Sequence, residues 1–150
     1  MKIIFFIMYL IFLTNCSGYS PVFTSGKTNF YIEEISFSEN DKLLRKISKN
    51  LKPYTIDNNQ AGISIELNLK KNENVILRDS KGDASTIELG LNLIVNIILE
   101  NGEKKKLEFN EKFSYQNESN KFELNQYKKN VEENLIDKIF EKLILQLKTL

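Results

Sequence analysis

Few side chains in this 150-residue chain are of a kind that does chemistry, and their types narrow the options at once. Histidine is absent, which removes Ser-His-Asp and Cys-His catalysis, imidazole metal sites and the commonest general base. There is one cysteine, Cys16, which can form neither an intramolecular disulfide nor a thiolate metal cluster. It is either spare or used covalently in another way. Carboxylates such as Glu33, Glu34, Glu132 and Glu133 come as sequence neighbours on expected surfaces rather than as an opposed acid and base. No glycine-rich phosphate loop, nucleophile elbow or paired metal-ligand motif occurs. What remains is cationic: Lys104-Lys105-Lys106 beside one turn, and Lys70-Lys71, Arg78 and Lys81 near another. Lysine and arginine at strand ends have two uses. They keep an open sheet edge soluble, or they donate to the phosphates of a glycolipid head group. Both uses remain open for Arg78, Lys81, Lys104, Lys105 and Lys106.

Cys16 gains meaning from what precedes it. Lys2 is followed by eleven residues, 3–13, all apolar or aromatic and none charged. A spanning helix needs about 20 apolar residues, so the run fits a signal-peptide core better than a transmembrane segment, with a short uncleaved anchor as the alternative. Leu13-Thr14-Asn15-Cys16 resembles the lipobox that ends bacterial lipoprotein signals, although Asn15 stands where Gly, Ala or Ser is usual. The resemblance implies cleavage before Cys16 and an N-acyl diacylglycerol on its sulfur and new amino terminus. Ser17, in place of an acidic retention signal, implies export to the outer membrane. At about 0.8 kcal/mol per buried methylene, several acyl chains hold a protein on a bilayer almost irreversibly. Loss of residues 1–15 would also remove Lys2, leaving 20 basic and 20 acidic side chains (21 − 1 against 20). A neutral chain argues against charge-driven nucleic-acid binding.

The expected organisation is a signal peptide over residues 1–15, a lipidated N-terminus and linker over 16–28, and a single domain over 29–150. Residues 30–37 (FYIEEISF) read as a strand. Leu43, Leu44, Ile47 and Leu51 recur at helical spacing, with Ser38 or Asn40 able to cap the start and Pro53 ending the helix. Ile63, Ile65, Leu67 and Leu69 alternate with polar residues, and Val75 and Leu77 resume that phase after polar residues 71–74, in a strand expected to be long and partly uncovered. After a turn at residues 79–83 the odd positions from Ile87 to Leu99 are apolar, and Ile94 and Ile98 suggest cover on the second face too. Asn101-Gly102 closes a hairpin to a strand marked by Leu107, Phe109, Phe113 and Tyr115. Matching the two core faces demands an odd-length loop, such as a type I turn with Gly102 in the left-handed region. Asn120 and Glu123 form a capping-box-like start to a last helix. Its stripe of Leu135, Ile136, Ile139, Phe140, Leu143, Ile144 and Leu147 is wide enough to touch both the sheet and the first helix. The fold class is therefore α+β, a two-layer sandwich with two helices on one face of a four-stranded, mainly antiparallel sheet in the order β-α-β-β-β-α. Whether the first and last strands adjoin is left open.

Two stretches together resemble the lipopolysaccharide-assembly lipoprotein family LptE. One is Cys16 followed, after one extra Ser17, by Gly18-Tyr19-Ser20-Pro21-Val22-Phe23. The other is Phe113-Ser114-Tyr115, then an Asn-containing stretch, then an amphipathic helix closing on Leu143-Ile144-Leu145-Gln146-Leu147. The resemblance implies a non-enzymatic lipoprotein on the periplasmic side of the outer membrane, without cofactor or metal. Its partner would be an LptD-like outer-membrane barrel that it plugs and helps to assemble, with direct lipopolysaccharide binding as a further expectation. Asp83 stands in the turn where the family carries a basic residue, leaving Arg78 and Lys81 as nearby substitutes. The rival expectations are an accessory lipoprotein of another envelope transport complex and a lipid-anchored hydrolase.

Overall fold

In the computed structural model the described residues are 29–39, 41–56 and 60–150; Cys16 and everything expected of residues 1–28 lie outside them, as does Asn40. Strand β1 (Phe30–Phe37) leads to helix α1 (Lys42–Leu51) and a short 3-10 turn at Lys52–Tyr54. Strands β2 (Ala61–Arg78), β3 (Ala84–Leu99) and β4 (Lys104–Gln116) follow, and helix α2 (Lys121–Leu147) closes the chain. The order of elements and the α+β class are those read from the sequence.

The sheet runs β1-β2-β3-β4, so the first and last strands occupy opposite edges. The β1–β2 pair is parallel, with a bulge between Ile32 and Glu34, and α1 supplies the crossover that a parallel pair requires. The other two pairs are antiparallel. Phe30, Ile32, Ile63, Ile65, Leu67, Leu89, Leu91, Leu93, Val95, Ile97, Phe109 and Tyr115 form the sheet's share of the core. Leu43, Leu44, Ile47 and Leu51 from α1 cover it together with the apolar stripe of α2, in which only Phe140 is merely half-buried. The wide stripe of α2 is thus used on two neighbours. Lys46 Nζ lies 2.8 Å from Asp137 Oδ1, and Lys42 Nζ lies 3.5 Å from Glu133 Oε1, tying α1 to α2 above the core.

The β3–β4 loop has the expected odd length. Leu99 N–H donates to Glu103 O at 2.9 Å, Gly102 N–H donates to Leu99 O at 2.8 Å, and Gly102 has φ +81°. The β2–β3 loop repeats the arrangement, with Asp79 N–H to Asp83 O at 2.8 Å, Gly82 N–H to Asp79 O at 3.0 Å, and Gly82 at φ +86°. Two glycines therefore put odd positions of β2, β3 and β4 on one face.

Three expectations are corrected. The cap of α1 is Asp41, whose Oδ1 accepts from Leu43 N at 2.6 Å and Leu44 N at 3.3 Å, because it directly precedes the first helical residue. As expected of a long strand that is partly uncovered, Val75 and Leu77 are exposed, since α1 ends its cover before them and the β2–β3 register shifts beyond Val75. Ile98 is 45% exposed, so the far half of β3 is not covered on both faces. Phe113 is 40% exposed, although Phe109 and Tyr115 on the same strand and face are buried.

Candidate functional site

The five candidate cations do not form one site. Arg78 and Lys81 sit at the β2–β3 tip, and Lys104, Lys105 and Lys106 at the start of β4, beside the opposite hairpin. The 16 residues of β3 lie between these ends, a span of about 50 Å at strand rise. One head group cannot bridge them.

At the tip, the turn is built by Asp79. Its Oδ1 accepts from Lys81 N and Asp83 N, each at 2.9 Å, and Arg78 Nη1 donates to Gly82 O at 2.8 Å. Arg78 thus braces the turn, while the Lys81 side chain is exposed. Beneath the cations Val75, Ile76 and Leu77 are 43%, 45% and 60% exposed. Three consecutive apolar residues in a strand must put at least one on the wrong face, and this was the available sequence signal for the patch. The tip therefore offers aliphatic surface next to positive charge, the two chemistries of an amphiphilic anion. The adjoining part of β2 is held to α2 by the ion pairs Lys71–Glu132 and Glu73–Lys128, which replace the apolar contacts that end at Leu69.

At the other end, Lys104 and Lys106 are exposed on the face away from the helices, and Lys105 is half-buried on the helix side. Among the described residues Lys104 and Lys105 make no ion pair. Lys106 looks onto a polar cluster in mid-sheet. Asn92 Nδ2 donates to Glu108 Oε1 and to Asn110 Oδ1, both at 2.6 Å. Hydrogen bonds from Asn92 and then Asn110 hold the Glu108 carboxyl below the ordinary carboxylate range, burial opposes them, and the charges of Lys106 and Lys70 add lesser lowering effects. Farther along, Asn96 Nδ2 donates to Glu66 Oε2 at 3.0 Å, and Lys112 Nζ lies 3.0 Å from Glu88 Oε1. The sheet face away from α1 and α2 is thus a lattice of amides and compensated charges, interrupted by Ile94 and Ile98. Cross-strand pairs of this kind keep side chains ordered without demanding a particular ligand.

Among the described residues the outer edge of β4 has no partner strand. Leu99 N–H reaches Glu103 O and Asn117 N–H reaches Ser85 O at 2.8 Å, and no register shift intervenes. Odd residues of β4 therefore bond β3, and even residues from Lys104 to Gln116 direct their backbone groups outward. Lys104, Lys106 and Lys112 along that edge fit the protective use of charge as well as a binding use.

No family model and no characterised sequence relative matches the chain. Its fold is similar to solved bacterial lipoproteins. Rare lipoprotein B from Shewanella oneidensis aligns with a TM-score of 0.54 and 13% identity, covering 75% of this chain and 95% of that one. A minor lipoprotein from Acinetobacter baumannii aligns with a TM-score of 0.60 and 14% identity, covering 82% and 92%. At such identities the likeness concerns the backbone, and this chain has the fold that those lipoproteins share.

Proposed function

We propose that this protein is an outer-membrane lipoprotein of the LptE type, anchored through Cys16 and acting as plug and assembly partner of a lipopolysaccharide translocon barrel. The observation that carries the reading is the fold common to this chain and rare lipoprotein B, a member of the LptE family, over 95% of the latter. The lipobox-like Leu13-Thr14-Asn15-Cys16 supports it independently. So does the sheet face away from α1 and α2, whose amides and paired charges suit the polar, water-lined interior of a large barrel. The role is one of binding rather than catalysis. Lipopolysaccharide contact falls to the tip, where Arg78 and Lys81 adjoin Val75, Ile76 and Leu77. Lys104, Lys105 and Lys106 form a second cationic patch at the opposite end.

Extraction of membranes in mild detergent, followed by electrophoresis without boiling, tests this reading. The expected result is tight co-isolation with a barrel protein several times heavier. Recovery as a free monomer would overturn it, and co-isolation with a different envelope complex would favour an accessory lipoprotein.

A further inference from the structure

The two edges of the sheet differ in how far they invite another strand. β1 has 8 residues and a bulge between Ile32 and Glu34, which unsettles any further pairing along it. β4 has 13 residues and keeps one register with β3 from Lys104 to Gln116, without a bulge. Its seven even residues each turn an N–H and a C=O outward, and no strand takes them among the described residues. A straight edge of this kind is a template for one more strand. On its helix side Phe113 is 40% exposed and Leu107 is half-buried. Leu107, Phe109, Lys142, Leu145 and Gln146 line a groove of about 350 Å³ between β4 and α2, where Leu145 is 51% exposed.

The side chains of β4 make the strand complementary to itself. When two copies run antiparallel over the whole of Lys104 to Gln116, the centre falls on Asn110, and even residues face even residues with their outward groups opposed. Glu108 then faces Lys112 and Leu107 faces Phe113, each pair occurring twice, while Lys104 and Lys106 face the neutral Gln116 and Ser114. No like charges stand opposite each other. A slip of one residue sets outward backbone groups against inward ones and reverses the faces. A slip of two residues sets Lys106 against Lys112 in one direction and Glu111 against itself in the other. Like charges directly opposite are destabilising, so the register that uses the whole strand is also the one that the charges favour.

We propose that the outer edge of β4 pairs with the β4 edge of a second copy of this chain, antiparallel and centred on Asn110, joining two four-stranded sheets into one. A two-fold axis through Asn110 relates the copies, the isologous arrangement of most dimers. Both carry their helices on the same face of the joined sheet. Lys112, 60% exposed and 3.0 Å from Glu88, stands between that carboxylate and Glu108 of the second copy. Phe113 of the second copy enters the groove beside Leu107 and Leu145, which covers the ring that a single copy leaves partly in water. Lys106 and Lys112 keep a protective use, since they penalise the slipped pairing and not this one. The pairing depends on neither lipid nor barrel; under the translocon reading it belongs to protein that has not yet met a barrel.

Disulfide cross-linking of the mature lipoprotein in mild detergent, without any barrel protein, tests the edge separately from the translocon reading. Facing residues of a hydrogen-bonded antiparallel pair have Cα atoms about 5.5 Å apart, within disulfide reach. Asn110→Cys is therefore expected to give at least tenfold more linked dimer on oxidation than the parent chain. Lys104→Cys mixed with Gln116→Cys is expected to link as well, through substitutions at exposed strand ends that stand in for Asn110→Cys if that variant fails to fold. Lys104→Cys alone is expected to link at least tenfold less than the mixture, because its two copies lie about 40 Å apart along the paired strands. Absence of linked dimer from both Asn110→Cys and the mixture overturns the proposal and leaves the lysines as protection of a free edge. Linkage of Lys104→Cys alone at the level of the mixture also overturns it, since that reports random collision or another register.

Discussion

Arg78 Nη1 donates to the carbonyl of Gly82 at 2.8 Å, so the arginine best placed to meet a phosphate at the hairpin tip is also a brace of the turn that presents it. Lys81, one residue before that glycine, has no such duty for its ammonium group. The two cations should therefore separate experimentally. Lys81→Ala is expected to weaken lipopolysaccharide binding severalfold while leaving unfolding free energy within about 0.5 kcal/mol of the parent. Arg78→Ala is expected to weaken binding and also to cost about 0.5–1 kcal/mol, the net worth of one hydrogen bond. A binding titration paired with urea unfolding distinguishes the two outcomes.

The lysines at the opposite end make a second case. Replacing Lys104, Lys105 and Lys106 together with Ala is expected to reduce binding to anionic lipid vesicles and to flatten its dependence on salt, because surface charges act over about 10 Å at 0.1 M salt. Unchanged vesicle binding accompanied by increased aggregation would assign these lysines to the protection of the open β4 edge.

Gly102 and Gly82 hold the two hairpin loops in the same left-handed conformation, and an added Cβ would meet nothing within 4 Å at either site. The cost of Gly102→Ala is then purely conformational, about 1–2 kcal/mol, and Gly82→Ala should cost a similar amount. Urea denaturation measures both. A much larger loss at one site would mean that its loop is also pressed against another part of the molecule.

Glu108 supplies a pH test. Hydrogen bonds from Asn92 and Asn110 lower its folded-state pKa below the unfolded value, so its contribution to stability is present above the unfolded pKa and is lost as pH falls through the folded one. NMR titration of the Glu108 carboxyl is expected to show a midpoint below the ordinary carboxylate range, moving upward in Asn92→Ala. Glu108→Gln is expected to remove part of the acid-side decline in stability. An unmoved midpoint in Asn92→Ala would show that Asn110 and the lysines, rather than Asn92, set the shift.

Most of the fold was legible because periodicity is a local property. The alternation of Ile63, Ile65, Leu67 and Leu69 and the spacing of Leu43, Leu44, Ile47 and Leu51 each specify a buried face without reference to any other segment, and those residues pack as expected. The odd length of the β3–β4 loop was also legible, since two strands of known phase leave only that choice. Misreadings arose where the same local pattern outran its cover. Ile98 is apolar on a face that neither α1 nor α2 covers, whereas Val75 and Leu77 keep strand alternation on the stretch already read as partly uncovered. The cap of α1 was misread because Asp41, Ser38 and Asn40 are all competent caps, and only the first helical turn selects among them.

The amino-acid sequence by itself determined the element order, the two core faces, the glycine-dependent turns and the absence of histidine-based chemistry, because each follows from side-chain type and near-neighbour spacing. The tertiary structure alone decided that β1 pairs with β2 and lies opposite β4. It also decided that Arg78 and Lys81 stand a sheet's length from Lys104, Lys105 and Lys106, and that Asn92, Glu108 and Asn110 meet in mid-sheet. These are relations between segments distant in sequence, set by strand register and by which faces the two helices cover, and no local pattern encodes them.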